Sequence, residues 1–148
     1  MDQSPIRGIL NPIAPPLRVE VIRKDGEAGV VEGQVRLGQA YEGLAGAAHG
    51  GWVAALFDDL LSAAQGLLDA PGVTAVLRTR FREVTPLYED LRMRAWVHEQ
   101  RGRRSIIRGT CHAGDSLTAD AEGIFMTVDF AQLRERMERL QRERGGAQ

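Results

Sequence analysis

The chain has 148 residues, 43% of them hydrophobic and 26% charged, with a formal net charge of −1. That is one domain's worth of chain, long enough to bury a core, with the composition of an ordinary globular protein. The near-neutral balance gives no electrostatic pull toward nucleic acid or an anionic membrane, and Cys111 as sole cysteine excludes an internal disulfide and fits a reducing cytoplasm.

Residues 1–16 carry Pro5, Pro12, Pro15 and Pro16 and hold no apolar run of signal-peptide length, so they read as an extended arm. Leu17 to Ile22 alternates apolar and charged residues and predicts a first strand. Ala28 to Leu37 predicts a second, with Gly26 in the turn between them. Gly38 to Ala48 is a loop rich in glycine and alanine. From Gly50 to about Leu68 the period is helical, and Asp69-Ala70-Pro71-Gly72 ends it. This apolar window contains His49, Asp58 and Asp59, which argues against a membrane span.

The remainder is strand-like over 73–81, 91–99, 103–111 and 117–129, and the turn signals between these segments predict an antiparallel meander. Ala131 to Arg144 predicts a charged, solvated helix with Leu133, Met137 and Leu140 along one side. The division expected is an arm at 1–16, a domain at 17–130, and a C-terminal helix and tail at 131–148. The fold class is α+β. A sheet with one face to bury, and a single apolar helix to bury it with, pack most economically as a sheet wrapped around that helix.

The chemistry concentrates at His49-Gly50-Gly51 and, a little later, Asp58. Unpaired N–H groups at a helix start can hold a developing oxyanion. A carboxylate inside an otherwise apolar helix demands a reason. A helical projection puts Trp52, Val53, Leu56, Phe57, Leu60, Leu61, Ala64 and their neighbours on the side that packs on the sheet. Gly51, Ala54, Ala55, Asp58, Ser62, Gln65 and Gly66 fall on the other side, so small residues surround Asp58. Asp58 and the Gly50 amide are on the order of 12 Å apart along the axis. If the two cooperate, a symmetric dimer brings them together.

These features resemble the hotdog-fold thioesterases, in particular the phenylacetate-pathway branch of acyl-CoA thioesterases. The resemblance rests on His49-Gly50-Gly51, Asp58, the Ala70-Pro71-Gly72-Val73-Thr74 stretch and the element order, and covers about 17–129. It implies a hotdog fold, hydrolysis of an acyl-CoA to a free acid and coenzyme A, and a homodimer or homotetramer. It implies that the Gly50 N–H polarises the thioester carbonyl, that the partner subunit's Asp58 acts as base or nucleophile, and that Thr74 places the water. Substrate contacts are expected around His49, Gly51, Gly43 and Asp59. Gly43 stands where some relatives carry a side-chain amide, so the set is thinner than the fullest version. The alternative on the same fold is a non-catalytic acyl-CoA binding or sensing module.

Each residue also has a plainer reading. Asp58 and Asp59 can serve structural bonds, His49 can orient the loop, the glycines can permit a tight turn, and Thr74 can be an ordinary strand residue. No cofactor is expected, and no metal: His49, His98 and His112 lie on separate elements without zinc-ligand spacing. Cys111 reads as a small packed residue. Arg78, Arg80 and Arg82 share a strand face, and Arg101, Arg103 and Arg104 cluster at a turn. Solvated surface is the default for both sets, and either is a candidate for coenzyme A phosphates.

Overall fold

Six alternating segments pair into a single antiparallel sheet in the computed structural model, which describes residues 4–22 and 29–145. The Gly26 turn and the last tail residues lie outside that range. The strands are β1 (Arg18–Ile22), β2 (Val30–Arg36), β3 (Gly72–Phe81), β4 (Asp90–Arg101), β5 (Arg104–Ala113) and β6 (Ser116–Thr127). The helices are α1 (Gly50–Gln65) and α2 (Phe130–Gly145). The two tight hairpins follow from turn chemistry. Gly102 and Gly114 sit at φ 56° and 57°, a region that costs other residues strain, and each opens a two-residue turn.

The spatial order is β1-β2-β4-β5-β6-β3. The meander expected for the last four strands therefore holds only for β4, β5 and β6. β3 pairs with β6 at the far edge, and β2 takes the place beside β4. The cause is the short turn after α1, which sends β3 back along the helix it has just left. The chain then crosses to β4 through residues 82–89. That crossing segment binds the glycine-rich loop: Thr85 O accepts the Ala48 N–H (2.8 Å), and the Leu87 and Tyr88 amides donate to Gly46 O (3.0 Å) and Leu37 O (2.7 Å).

α1 packs against β2 through β6, and Val53, Leu56, Phe57, Leu60 and Leu61 are buried against Val31, Met93, Ile107 and Phe125. This is the hotdog arrangement, a sheet curled around one helix. The helix sits close because small residues line up beneath it. Ala95, Gly109 and Ala121 are register partners across β4, β5 and β6. A Cβ at Gly109 would lie 2.9 Å from Arg94 O and 3.1 Å from Leu61 Cδ2. Asp129 caps α2 by accepting the Ala131 and Gln132 amides (2.9 and 3.2 Å). Every described residue of α2 is exposed, including the stripe of Leu133, Met137 and Leu140.

Gly109→Val forces branched carbon into the helix–sheet contact. It is expected to lower stability by about 1–3 kcal/mol, read from the urea midpoint at unchanged slope.

Candidate functional site

α1 begins where the loop of residues 41–49 folds back on itself. Tyr41 O accepts the His49 N–H (2.8 Å) and the Gly43 N–H donates to Ala47 O (2.9 Å). A Cβ at Gly43 would lie 2.7 Å from His49 Cα. An amide side chain therefore does not fit there without moving the loop, and Gly43 contributes backbone alone. His49 is the N-cap of α1: its Nδ1 accepts the Gly51 N–H at 2.9 Å. The Gly51 amide is thus occupied, whereas the Gly50 N–H finds no acceptor among the described residues. It opens onto a cleft of about 310 Å³ walled by Leu44, Val53, Phe81 and Val84, with the Phe81 ring against Gly50.

Asp58 sits in the third turn of α1, half-buried, where its Oδ1 accepts the Thr74 hydroxyl at 2.9 Å. Two of the residues singled out in the sequence, separated by a helix end and a turn, are therefore in direct contact. A β-bulge makes this possible. Register shifts between Thr74 and Val76, so Ala75 is an extra residue in β3. In an unbroken strand Thr74 would share its face with Arg78 and Arg80. The bulge turns it inward to Asp58 while those arginines face Glu122 and Asp120 on the outer side.

Asp59 points elsewhere, into an ion pair with Arg7, and it also accepts the Ser4 hydroxyl (3.0 Å). Sequence reasoning missed both partners, because nothing in the arm's composition marks a contact to a helix residue so far along the chain. It also placed Gln65 on the open side of α1, but Gln65 is only 4% exposed. Its side chain donates to Ala70 O (2.7 Å) and accepts the Gly72 N–H (3.2 Å), fixing the turn that launches β3. The signal available was a long amide just before a Pro-Gly turn, whose backbone groups need partners.

The arginines on β3, and Arg82 just past its end, are engaged. Arg80 and Arg82 share Asp120, and Arg78 and Arg108 flank Glu122. Burial pushes the Asp120 carboxyl up, but its contacts with Arg82 and Arg80 together outweigh that and hold it below the usual range. Arg101 pairs with Glu99, and Arg103 donates to Thr127 O (3.1 Å). A cavity of about 550 Å³ lies between β1, β2 and β4 on the outer face, away from both Gly50 and Asp58. Among the described residues no three His, Cys, Asp or Glu side chains gather as a metal cluster, and no helix is long and apolar enough to cross a membrane. Cys111 is buried, which pushes its thiol up.

A carboxylate bonded to a hydroxyl, and an unpaired amide at a helix start beside an apolar cleft, are groups of the kind that acyl transfer uses. The family model described as the thioesterase superfamily matches residues 45–119, a stretch that contains Gly50, Asp58 and Thr74. The chain belongs to the thioesterase superfamily. Three similar solved structures are described as thioesterases. A crystal structure of a thioesterase superfamily protein is 34% identical with a TM-score of 0.76; the alignment covers 83% of this chain and 62% of that one. A putative thioesterase from Ralstonia eutropha, described as phenylacetic acid degradation-related, is 24% identical with a TM-score of 0.63, covering 74% and 84%. A hypothetical thioesterase protein from Streptococcus pneumoniae, determined with coenzyme A, is 16% identical with a TM-score of 0.65, covering 75% and 89%. The last two likenesses show the fold. No curated protein matches the sequence.

Gln65→Leu strips the Gly72 amide and the Ala70 carbonyl of a buried partner. A loss of about 1–3 kcal/mol is expected in chemical denaturation. In the native protein Cys111 is expected to resist a water-soluble thiol reagent at neutral pH and to react once urea unfolds the chain.

Proposed function

We propose that this chain is an acyl-CoA thioesterase whose acid is Asp58. The observation that carries the reading is the Asp58–Thr74 contact. The helix carboxylate is held by one hydroxyl and otherwise bordered by the small residues Ala54 and Ala55, which leaves room for water or a thioester beside it. Asp58 takes a proton from the water that attacks the carbonyl carbon and passes it to sulfur as the C–S bond breaks. Alternatively, it attacks the carbon itself to give an anhydride that water then cleaves to the free acid. The tetrahedral oxyanion accepts from the Gly50 N–H, and coenzyme A leaves as its thiol. His49 keeps the loop in place through the Gly51 amide, so that Gly51 supports the site and does not donate to substrate.

A homodimer completes the site. Asp58 and the Gly50 amide are about 12 Å apart along one helix, too far to serve one carbon from a single chain. β3 is an edge strand with exposed Val73, Val76 and Phe81. Such an edge is a template for a second copy, and a two-fold axis there carries Thr74 and Asp58 to the boundary between subunits. The cytoplasm is the compartment we propose, and coenzyme A is the acyl carrier, as the bound ligand of the Streptococcus pneumoniae relative supports.

The alternative, an acyl-CoA binding module, draws on Gly43. The loop there has no space for the amide that some relatives carry. One experiment separates the two: hydrolysis of an acyl-CoA panel with free-thiol detection, for wild type and Asp58→Ala in parallel. The thioesterase reading expects Asp58→Ala to lose roughly a hundred- to ten-thousandfold in turnover with its melting temperature nearly unchanged. Binding without turnover in the wild type favours the module, and wild-type rates in Asp58→Ala remove Asp58 from the mechanism.

A further inference from the structure

The proline-rich arm touches both elements of the candidate site. Arg7 reaches across to Asp59, the residue after Asp58, with their side chains only 16% and 13% exposed. Ser4 reinforces the contact: it donates to Asp59 (3.0 Å) and accepts the Ile6 and Arg7 amides (3.2 and 3.3 Å), so the turn that presents Arg7 is itself tied to the carboxylate. Ile6 packs against the core. Further along, the carbonyls of Ile13 and Ala14 accept the Tyr41 hydroxyl (both 3.2 Å). Tyr41 in turn meets Trp52 edge-on, with ring centroids 5.1 Å apart, and its own carbonyl holds the His49 amide. The arm thus grips the helical turn that carries Asp58 and the loop that presents Gly50.

A long, entropically costly arginine committed to a mostly buried pair needs a return. We infer that Arg7 is a positioning residue, which through Asp59 fixes the rotation of the third turn of α1 and so the carboxylate of Asp58 against Thr74. Adjacent helix residues project about 100° apart. Anchoring Asp59 on the arm side therefore sets the direction of Asp58 on the β3 side. The inference rests on the thioesterase reading above and adds a residue that touches no reacting atom.

The test is steady-state hydrolysis of the best acyl-CoA substrate of the wild type, with a thermal midpoint for every variant. Arg7→Met and Asp59→Asn are each expected to lower kcat roughly ten- to a hundredfold with KM nearly unchanged, the effect of a misplaced group with intact binding. Arg7→Lys restores most of kcat. Because either single change leaves one charge unpaired, the deciding variant is Arg7→Met with Asp59→Leu, which removes both charges, is expected to fold, and remains slow. Arg108→Met, which breaks an outer-face pair with Glu122, serves as a control that keeps kcat. Wild-type kcat in the folded double variant overturns the inference, as does a loss of activity that only tracks the folded fraction. A wild type that hydrolyses no thioester overturns the functional reading itself and takes this inference with it.

Discussion

The closeness of α1 to the curled sheet is the constraint on which everything else depends. Ala95, Gly109 and Ala121 form a floor without side-chain bulk, and Phe57 and Leu61 settle onto it. Were that floor built of larger residues, the helix would ride higher. Asp58 would then lose the Thr74 hydroxyl, and the Phe81 ring would no longer close over Gly50. Core packing and site geometry are the same contact seen from its two ends.

The polar contacts at the site follow a consistent division of labour. Each end of α1 is fixed by one side chain that satisfies backbone groups, His49 at the start and Gln65 at the finish. With both ends fixed, the Gly50 amide and one face of Asp58 are without a partner among the described residues. The crossing segment between β3 and β4 adds a further restraint, since its backbone pairs with the glycine-rich loop. The loop is held by these backbone bonds and by Glu42, whose carboxylate accepts the Gly46 N–H at 2.8 Å.

The outer face of the sheet obeys different rules. Several of its arginines lie opposite acids in register, as Arg94 opposite Glu32 and Arg108 opposite Glu122. These exposed pairs contribute little individually. They do absorb the positive charge that the sequence offered as a phosphate site, at least along β3 and the residue beyond it, where Asp120 and Glu122 hold Arg78, Arg80 and Arg82.

The sequence by itself determined the elements, the turns and the candidate groups of the site. Period and punctuation mark α1 and all six strands to within a few residues, because amphipathicity and Gly or Pro chemistry are local. His49, Gly50 and Asp58 stand out because glycines before an apolar helix and an acid within it are anomalies in one dimension. What the chain order could not determine was pairing. β3 sits beside β6 and not β4, because a short turn returns it along α1, and pattern does not encode which sheet edge waits there. The bulge at Ala75, the arm's grip on Asp59 and the burial of Gln65 were decided only in three dimensions. Each joins residues that are remote in sequence or alters a face by a single inserted position, and alternation alone would have sent Thr74 to the wrong side of the sheet.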